Sequence, residues 1–276
     1  MMLHHSIPPK REAIVPQSTH RPRLAIHKFS SCDGCQLALL NLGERLLQLA
    51  EQVDIPHFVE MGPVDEDAEV DIALVEGSIS TPEEAQRIRA VRAHSKYLIA
   101  IGACATSGGI QALRNLHRAD EWTRAVYASP EHISILDKVT PLSAQVRVDL
   151  ELWGCPVNGH QVLSAIRALL FGVTPPVNRD KLCGECKRIG VVCVMVAKGL
   201  PCMGPVTQTG CGALCPAHGR DCYACYGPAE NTNAASLAQR LRANGLGETD
   251  VRRRFLSINN AAPAFAEAGA AAARGS

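Results

Sequence analysis

Residues 97–105, YLIAIGACA, decide the fold: an unbroken apolar run from Tyr97 to Ile101 stops at Gly102-Ala103-Cys104. A short apolar run closed by a turn reads as a buried strand, and here a thiol stands at its carboxyl end. The design recurs on both sides. Leu24 to Phe29 runs into Ser30-Ser31 and a loop bearing Cys32 and Cys35; Val70 to Val75 (VDIALV) runs into Glu76-Gly77-Ser78; Val146 to Leu152 runs into Trp153-Gly154-Cys155-Pro156. Helical patterns separate these runs. Leu39, Leu42, Leu46, Leu49 and Val53, at alternating spacings of three and four, predict a single amphipathic helix turned to a core. Thr81-Pro82-Glu83-Glu84 is a capping-box start with Pro at the first helical position. Asn158 caps a helix that carries Val162, Ile166, Leu169 and Leu170 inward.

Strands alternating with helices predict an α/β fold, a flavodoxin-like doubly wound parallel sheet over residues 23–175. Ligands of such sheets sit at the carboxyl ends of strands, where Cys32, Cys35, Cys104 and Cys155 all fall, so segments distant in sequence can bring four thiols to one site. Near Thr174-Pro175-Pro176 the character changes. Eight cysteines then lie between Cys183 and Cys225, among frequent glycines and without a sustained period. Such a stretch, residues 176–230, buries too little apolar area to offset its ordering entropy, and metal ligation is the expected organiser of a small irregular domain. A helix is expected over 231–260. Residues 1–22 are expected to form a poorly ordered leader, and the Ala-rich tail 261–276 a mobile end with no assigned function.

The chain has 276 residues, 46% of them hydrophobic, and a formal net charge of +1, which suits one full core plus a smaller module and gives no field for holding nucleic acid. No apolar stretch is long enough to span a bilayer, so no membrane contact is expected. The start, MMLHHSIPPKREAIVPQSTHRPR, has no apolar run of the kind a secretion signal needs, so the expected compartment is the reducing cytoplasm, where thiols are free for metals and not for disulfides.

Twelve cysteines divide into three sets of four, the number of thiolates that one [4Fe-4S] cluster takes. In the second half a sequential division gives Cys183, Cys186, Cys193 and Cys202 to one cluster and Cys211, Cys215, Cys222 and Cys225 to another. Interleaved ligation is the alternative, suggested by Cys215-Pro216. Zinc is the competing metal, since the CxxC pairs 183/186 and 222/225 would make a tetrahedral site, but it leaves four thiols of the segment without a role. No G-x-G-x-x-G turn follows any strand, and Gly245-Leu246-Gly247 lacks the third glycine, so no NAD or flavin site is expected in this chain.

Ser30-Ser31-Cys32-Asp33-Gly34-Cys35-Gln36-Leu37, Glu76-Gly77-Ser78, Gly102-Ala103-Cys104-Ala105 and Gly154-Cys155-Pro156 together resemble the proximal-cluster signature of nickel-iron hydrogenase small subunits. The run Lys198 to Thr207, with Gly210-Cys211, Cys215-Pro216 and Cys222 to Gly227, resembles the cytoplasmic NAD(P)-linked branch, the sulfhydrogenase delta subunits. The resemblance spans roughly residues 23–228. It implies an electron-transfer subunit without a catalytic residue of its own, working between a nickel-iron site on a separate large subunit and iron-sulfur and flavin diaphorase subunits. It assigns Cys32, Cys35, Cys104 and Cys155 to the proximal cluster, Cys211, Cys215, Cys222 and Cys225 to the medial, and Cys183, Cys186, Cys193 and Cys202 to the distal. Cys183 stands where exported relatives commonly have a distal His, which implies an all-thiolate distal cluster. Glu76 is a candidate proton relay beside the proximal site, against the alternative of an ordinary capped or solvated carboxylate. Tyr223 and Tyr226 are candidate cluster shields or ordinary packing. His218, with the thiol count already complete, reads as a surface residue. The other functions weighed are a complex I-type quinone-reductase subunit, which would not need eight further cysteines, and a non-enzymatic hydrogen sensor or zinc-organised scaffold.

Overall fold

The computed structural model describes residues 21–274; the expected leader lies almost wholly outside them. Five parallel strands, β1 (Arg23–Lys28), β2 (Asp54–Phe58), β3 (Val70–Glu76), β4 (Ser95–Ile101) and β5 (Leu150–Leu152), form one sheet in the order β2-β1-β3-β4-β5. This is the flavodoxin-like winding, with its topological switch between β1 and β3. Registers such as Ile26 opposite Leu74 and Leu74 opposite Ile99 keep side chains of one parity on one face.

Both faces are covered. Leu24, Ile26, Ile72, Leu74, Ile99 and Ile101 pack on one side against α1 (Gly34–Leu40), α2 (Glu44–Ala50) and α6 (Gly159–Leu170). Ala25, Ala73, Val75, Leu98 and Ala100 pack on the other against α3 (Pro82–Ala93) and α4 (Gly102–Ser107). The capping box of α3 is complete: Glu84 N–H donates to Thr81 Oγ1 at 3.2 Å and Thr81 N–H to the Glu84 carboxylate at 3.2 Å. Asn158 Oδ1 accepts from His160 N–H at 2.9 Å at the start of α6. A short α5 (Ala119–Val126) lies in the long connection from β4 to β5.

Several elements differ from expectation. The stripe from Leu39 to Val53 is split between α1 and α2 at Gly43, which takes φ 56°. Strand β2 follows it unforeseen, because Asp54, Pro56 and His57 interrupt its apolar run. Strand β5 is shorter than 146–152; Val146 and Val148 instead pack against the second face as loop residues.

The second domain is larger than 176–230. Short helices α7 (Leu182–Arg188), α8 (Val194–Lys198) and α9 (Leu214–Ala217) share one core with α10 (Ala234–Ala243), α11 (Glu248–Phe255) and α12 (Pro263–Arg274). The expected single helix over 231–260 is thus two, broken at Gly245 with φ 92°. The expected mobile tail is α12, whose Phe265 and Ala272 are buried; Phe265 meets the Phe255 ring at 6.0 Å. Alanine and glycine allow that close docking, since a Cβ on Gly269 would fall 2.4 Å from Leu256 Cγ. The domains join where Gly227, at φ 73°, lies flat on Trp153: an added Cβ would stand 2.2 Å from the indole.

On the sheet's edge, buried His27 stacks on His57 with ring centroids 4.4 Å apart, and His27 Nδ1 has no hydrogen-bond partner among the described residues. Burial, then the neighbouring His57 and Arg87, lowers His27 from 6.5 to about 3. The neutral stack therefore contributes its full stability above about pH 6.5 and loses it as the unfolded chain takes up the proton on the way down to about pH 3. At about pH 5 the loss is about 2 kcal/mol. His27→Phe is expected to shrink the stability difference between pH 5 and pH 7.5 by about that amount in denaturant unfolding; an unaltered pH dependence would refute the assignment.

Candidate iron-sulfur centre

Four thiols gather at the carboxyl edge of the sheet. Cys32 follows β1, Cys35 sits in the first turn of α1, Cys104 in the first turn of α4 after β4, and Cys155 after β5, where Cys155-Pro156 is cis. The backbone clears space around them. Gly102, at φ 86°, would place a Cβ 2.3 Å from Cys35 Sγ, and Gly109, at φ 54°, one 2.7 Å from Cys104 Sγ. These glycines form a cradle that side chains would fill.

Burial, then the Cys155 and Cys32 thiols and Glu76, pushes Cys104 up to about 12. Burial raises Cys35 further, with Glu76, Cys104 and Cys155 adding to it and the Val157 amide opposing it. Burial and then Cys32 raise Cys155. Burial and neighbouring thiols thus act together on Cys35, Cys104 and Cys155, and a cation between them would be needed to hold them as thiolates.

Glu76, at the end of β3, is 1% exposed. Its carboxylate accepts from Ser31 Oγ at 2.8 Å, Gln36 N–H at 3.1 Å and Gln36 Nε2 at 3.3 Å. Burial raises its pKa, opposed by those donors. The carboxylate is capped, and it ties together the residues flanking Cys32 and Cys35.

The eight later cysteines lie along α7, α8 and α9 and the loops around them, and interactions cross the two halves of the run: Cys211 acts on Cys186 and Cys202 on Cys222. Cys183 and Cys186 lie on α7, Cys193 begins α8 and Cys202 follows it; burial raises Cys183, with Cys202 and Cys193 next. Burial likewise pushes Cys186 up to about 11, followed by Cys183, Cys202, Cys193 and Cys211. Around α9 and the loop beyond it stand Cys211, Cys215, Cys222 and Cys225. Burial, then Cys211 and Cys155, brings Cys225 to about 12.

Contacts link the three groups in series. The Cys155 amide faces the Cys225 sulfur, and Cys222 N–H donates to Cys202 Sγ at 3.3 Å. Tyr226 is buried, and burial followed by Cys211, Cys225 and Cys35 raises its phenol, which places it between the first group and the third. Tyr223 is 40% exposed beside Arg254, and His218 lies on the surface. Among the described residues, no three His, Cys, Asp or Glu side chains stand tightly enough to share a single metal ion.

Other positioning residues carry no local sequence signal. Asn259 accepts from Ser107 Oγ at 2.7 Å and donates to Ala224 O at 2.7 Å; Asn260 donates to Gly109 O at 3.0 Å. Asn259 ties the first thiol group to the third, and both asparagines reach Ser107 and Gly109 from more than a hundred residues away, beyond the span of any local motif.

Residues 32–169 match the family described as NADH ubiquinone oxidoreductase, 20 Kd subunit. The sulfhydrogenase 2 delta subunit of Pyrococcus furiosus is 34% identical over 220 residues, covering 80% of this chain and 92% of that one. This chain belongs to the nickel-iron hydrogenase small-subunit family. A chain of the F420-non-reducing hydrogenase of Methanococcus voltae is 31% identical over 254 residues, covering 81% of this chain and 88% of that one. The structure of an NAD+-reducing [NiFe]-hydrogenase in the H2-reduced state superposes with a TM-score of 0.52 at 31% identity, over 57% of this chain and 96% of the matched one. The chain is therefore an electron-transfer subunit of a hydrogenase, an oxidoreductase component. The match over 32–169 stops before the eight later cysteines, which set it apart from the single-cluster quinone-reductase pattern.

The cradle yields a direct test. Gly102→Ala is expected to push Cys35 aside and lower bound iron and visible absorbance, while Gly247→Ala, at φ −68° with nothing within 4 Å of the added carbon, retains both. Equal iron in the two variants would remove Gly102 from the site.

Proposed function

We propose that the twelve cysteines hold three [4Fe-4S] clusters in series. Cys32, Cys35, Cys104 and Cys155 hold the proximal one, Cys211, Cys215, Cys222 and Cys225 the medial, and Cys183, Cys186, Cys193 and Cys202 the distal. The observation that carries this reading is the linkage of thiol neighbourhoods, Cys155 to Cys225 and Cys202 to Cys222. Each cluster, when bound, takes up and gives back one electron at a time. The protein's part is to fix spacing, exclude water and aim amides at sulfur: Ala224 N–H, for example, donates to Cys222 Sγ at 3.4 Å. A zinc site closed by the two CxxC pairs would leave Cys193, Cys202, Cys211 and Cys215 without a role, which favours iron-sulfur cores over zinc.

The proximal end faces a large subunit carrying the nickel-iron site. Leu37, Ile110, Leu116, Trp122, Val126 and Tyr127, all on segments leaving the carboxyl ends of β1 and β4, are exposed apolar side chains that such an obligate interface would cover. Glu76 acts as the clamp of the Cys32–Cys35 loop; its burial and full complement of donors support that role over proton relay. At the other end, iron-sulfur and flavin diaphorase subunits take the electrons on to NAD(P), in the cytoplasm. No described helix is long and apolar enough to cross a membrane.

Chain matured without oxygen is expected to carry about twelve iron and about twelve sulfide; about four iron with stoichiometric zinc would overturn the series. Cys155→Ser should abolish hydrogen-driven dye reduction while the other two clusters persist in electron paramagnetic resonance. The purified pair of this chain and its large subunit should reduce a viologen with hydrogen but leave NADP untouched until diaphorase is added. NADP reduction by the flavin-free pair would sink the assignment.

A further inference from the structure

Two cores with the same four-thiolate ligation have similar potentials unless their surroundings differ in charge, in hydrogen bonds to sulfur or in exposure. Both thiol sets assigned to the cysteine-rich domain receive backbone amides: Cys222 N–H donates to Cys202 Sγ at 3.3 Å, and Ala224 N–H to Cys222 Sγ at 3.4 Å. Charge is what separates them, and it comes from a side chain that its own motif conceals.

Glu185 stands on α7 between Cys183 and Cys186, yet its carboxylate reaches across to the loop that carries Cys211. One oxygen accepts from Thr209 Oγ1 at 2.7 Å and Gly210 N–H at 3.3 Å, and the other from Gly212 N–H at 3.2 Å. These donors bracket Cys211 in the chain. Glycine at 210 and 212, with φ 130° and 71°, lets the backbone turn both amides to the same carboxylate. Among the described residues Glu185 has no ion-pair partner, so only neutral donors offset its charge. After burial, and against the Leu214 and Ala213 amides, Glu185 and Cys215 raise the Cys211 thiol.

The other charges do not reproduce this. Burial first raises both Cys183 and Cys202; beyond that, Lys187 pulls Cys183 down, while Asp221, itself paired with Arg254, pushes Cys202 up. Arg220 lies near Cys215 but is exposed, where water and salt screen it.

We propose that Glu185 holds the cluster of Cys211, Cys215, Cys222 and Cys225 at a lower potential than that of Cys183, Cys186, Cys193 and Cys202, so that an electron passes downhill between two alike clusters. The inference rests on the division of the eight cysteines between two clusters and adds what makes those clusters unequal. A fixed negative charge opposes the electron that a neighbouring core takes up, and a half-buried charge is screened less than an exposed one. Glu185 is thus a positioning residue with two duties: it ties α7 to the Cys211 loop, and it biases the relay.

The test is a redox titration followed by electron paramagnetic resonance, made on the purified complex of this chain with its large subunit. The two signals are first assigned by their loss in Cys211→Ser and Cys183→Ser. Glu185→Gln keeps the size and removes the charge. The equilibrium for reducing the Cys211 cluster is expected to become about tenfold more favourable, a rise of about 59 mV for one electron, at full iron content. The Cys183 cluster should move much less. Glu185→Asp, which keeps the charge, should restore most of the native potential. If the Gln variant loses iron, Thr209→Val carries the test: it leaves the charge and removes a donor that offsets it, so the Cys211 cluster should fall in potential. An unmoved Cys211 cluster in Glu185→Gln, an equal rise in both clusters, an Asp variant no different from the Gln one, or an unmoved or raised potential in Thr209→Val would overturn the proposal. Failure of the underlying division looks different: Cys211→Ser and Cys183→Ser would then remove the same signal, or none, whatever Glu185 does.

Discussion

Thiolates repel one another, and burial makes the repulsion worse. In this chain Cys35, Cys104, Cys222 and Cys225 all have pKa values raised first by burial and then, with other neighbours, by other thiols. A protein that brings such groups together needs a cationic core to hold them in the charged form that ligates metal. The rest of the architecture answers that constraint. The sheet delivers four thiols from three strand ends and keeps the space between them clear with glycine. The second domain, poor in regular structure, turns backbone amides toward sulfur at Cys202 and Cys222.

The fold was legible because parallel strands buried on both faces write themselves as short apolar runs, and because each run here meets a glycine or a serine within two residues of its end. The caps at Thr81 and Asn158 were legible for a local reason: the bonds they make lie within the first turn of a helix. Strand β2 was not, since an edge strand tolerates Asp54, Pro56 and His57 in its length. The helix break at Gly43 escaped a periodicity argument because the apolar stripe continues across it. Helix α12 was hidden by composition. Alanines carry little hydrophobic signal one by one, yet they let a helix approach α11 closely enough to bury Phe265.

The gathering of Cys32, Cys35, Cys104 and Cys155 at the strand ends was legible because each follows an apolar run. Their supports were not. Glu76 stood out in the sequence only as an acid after a strand; its partners Ser31 and Gln36 are 45 and 40 residues away. Bonds of that span depend on the finished topology, which no window along the chain contains. The same holds for Gly109, whose bare backbone beside Cys104 reads as an ordinary loop glycine until α4 is in place.

Asn259 has a consequence for how the molecule comes into being. One side-chain amide, buried and 2% exposed, accepts from Ser107 of the sheet domain and donates to Ala224 of the cysteine-rich domain. Synthesis runs from the amino terminus, so the sheet and all twelve thiols leave the ribosome before this residue does. Until it arrives, the domains are held only by earlier contacts such as Gly227 on Trp153 and Asn158 on Gly210, and the core that α12 completes is still open. Asn259 and Asn260 thus tie the sheet domain to the cysteine-rich domain late in synthesis.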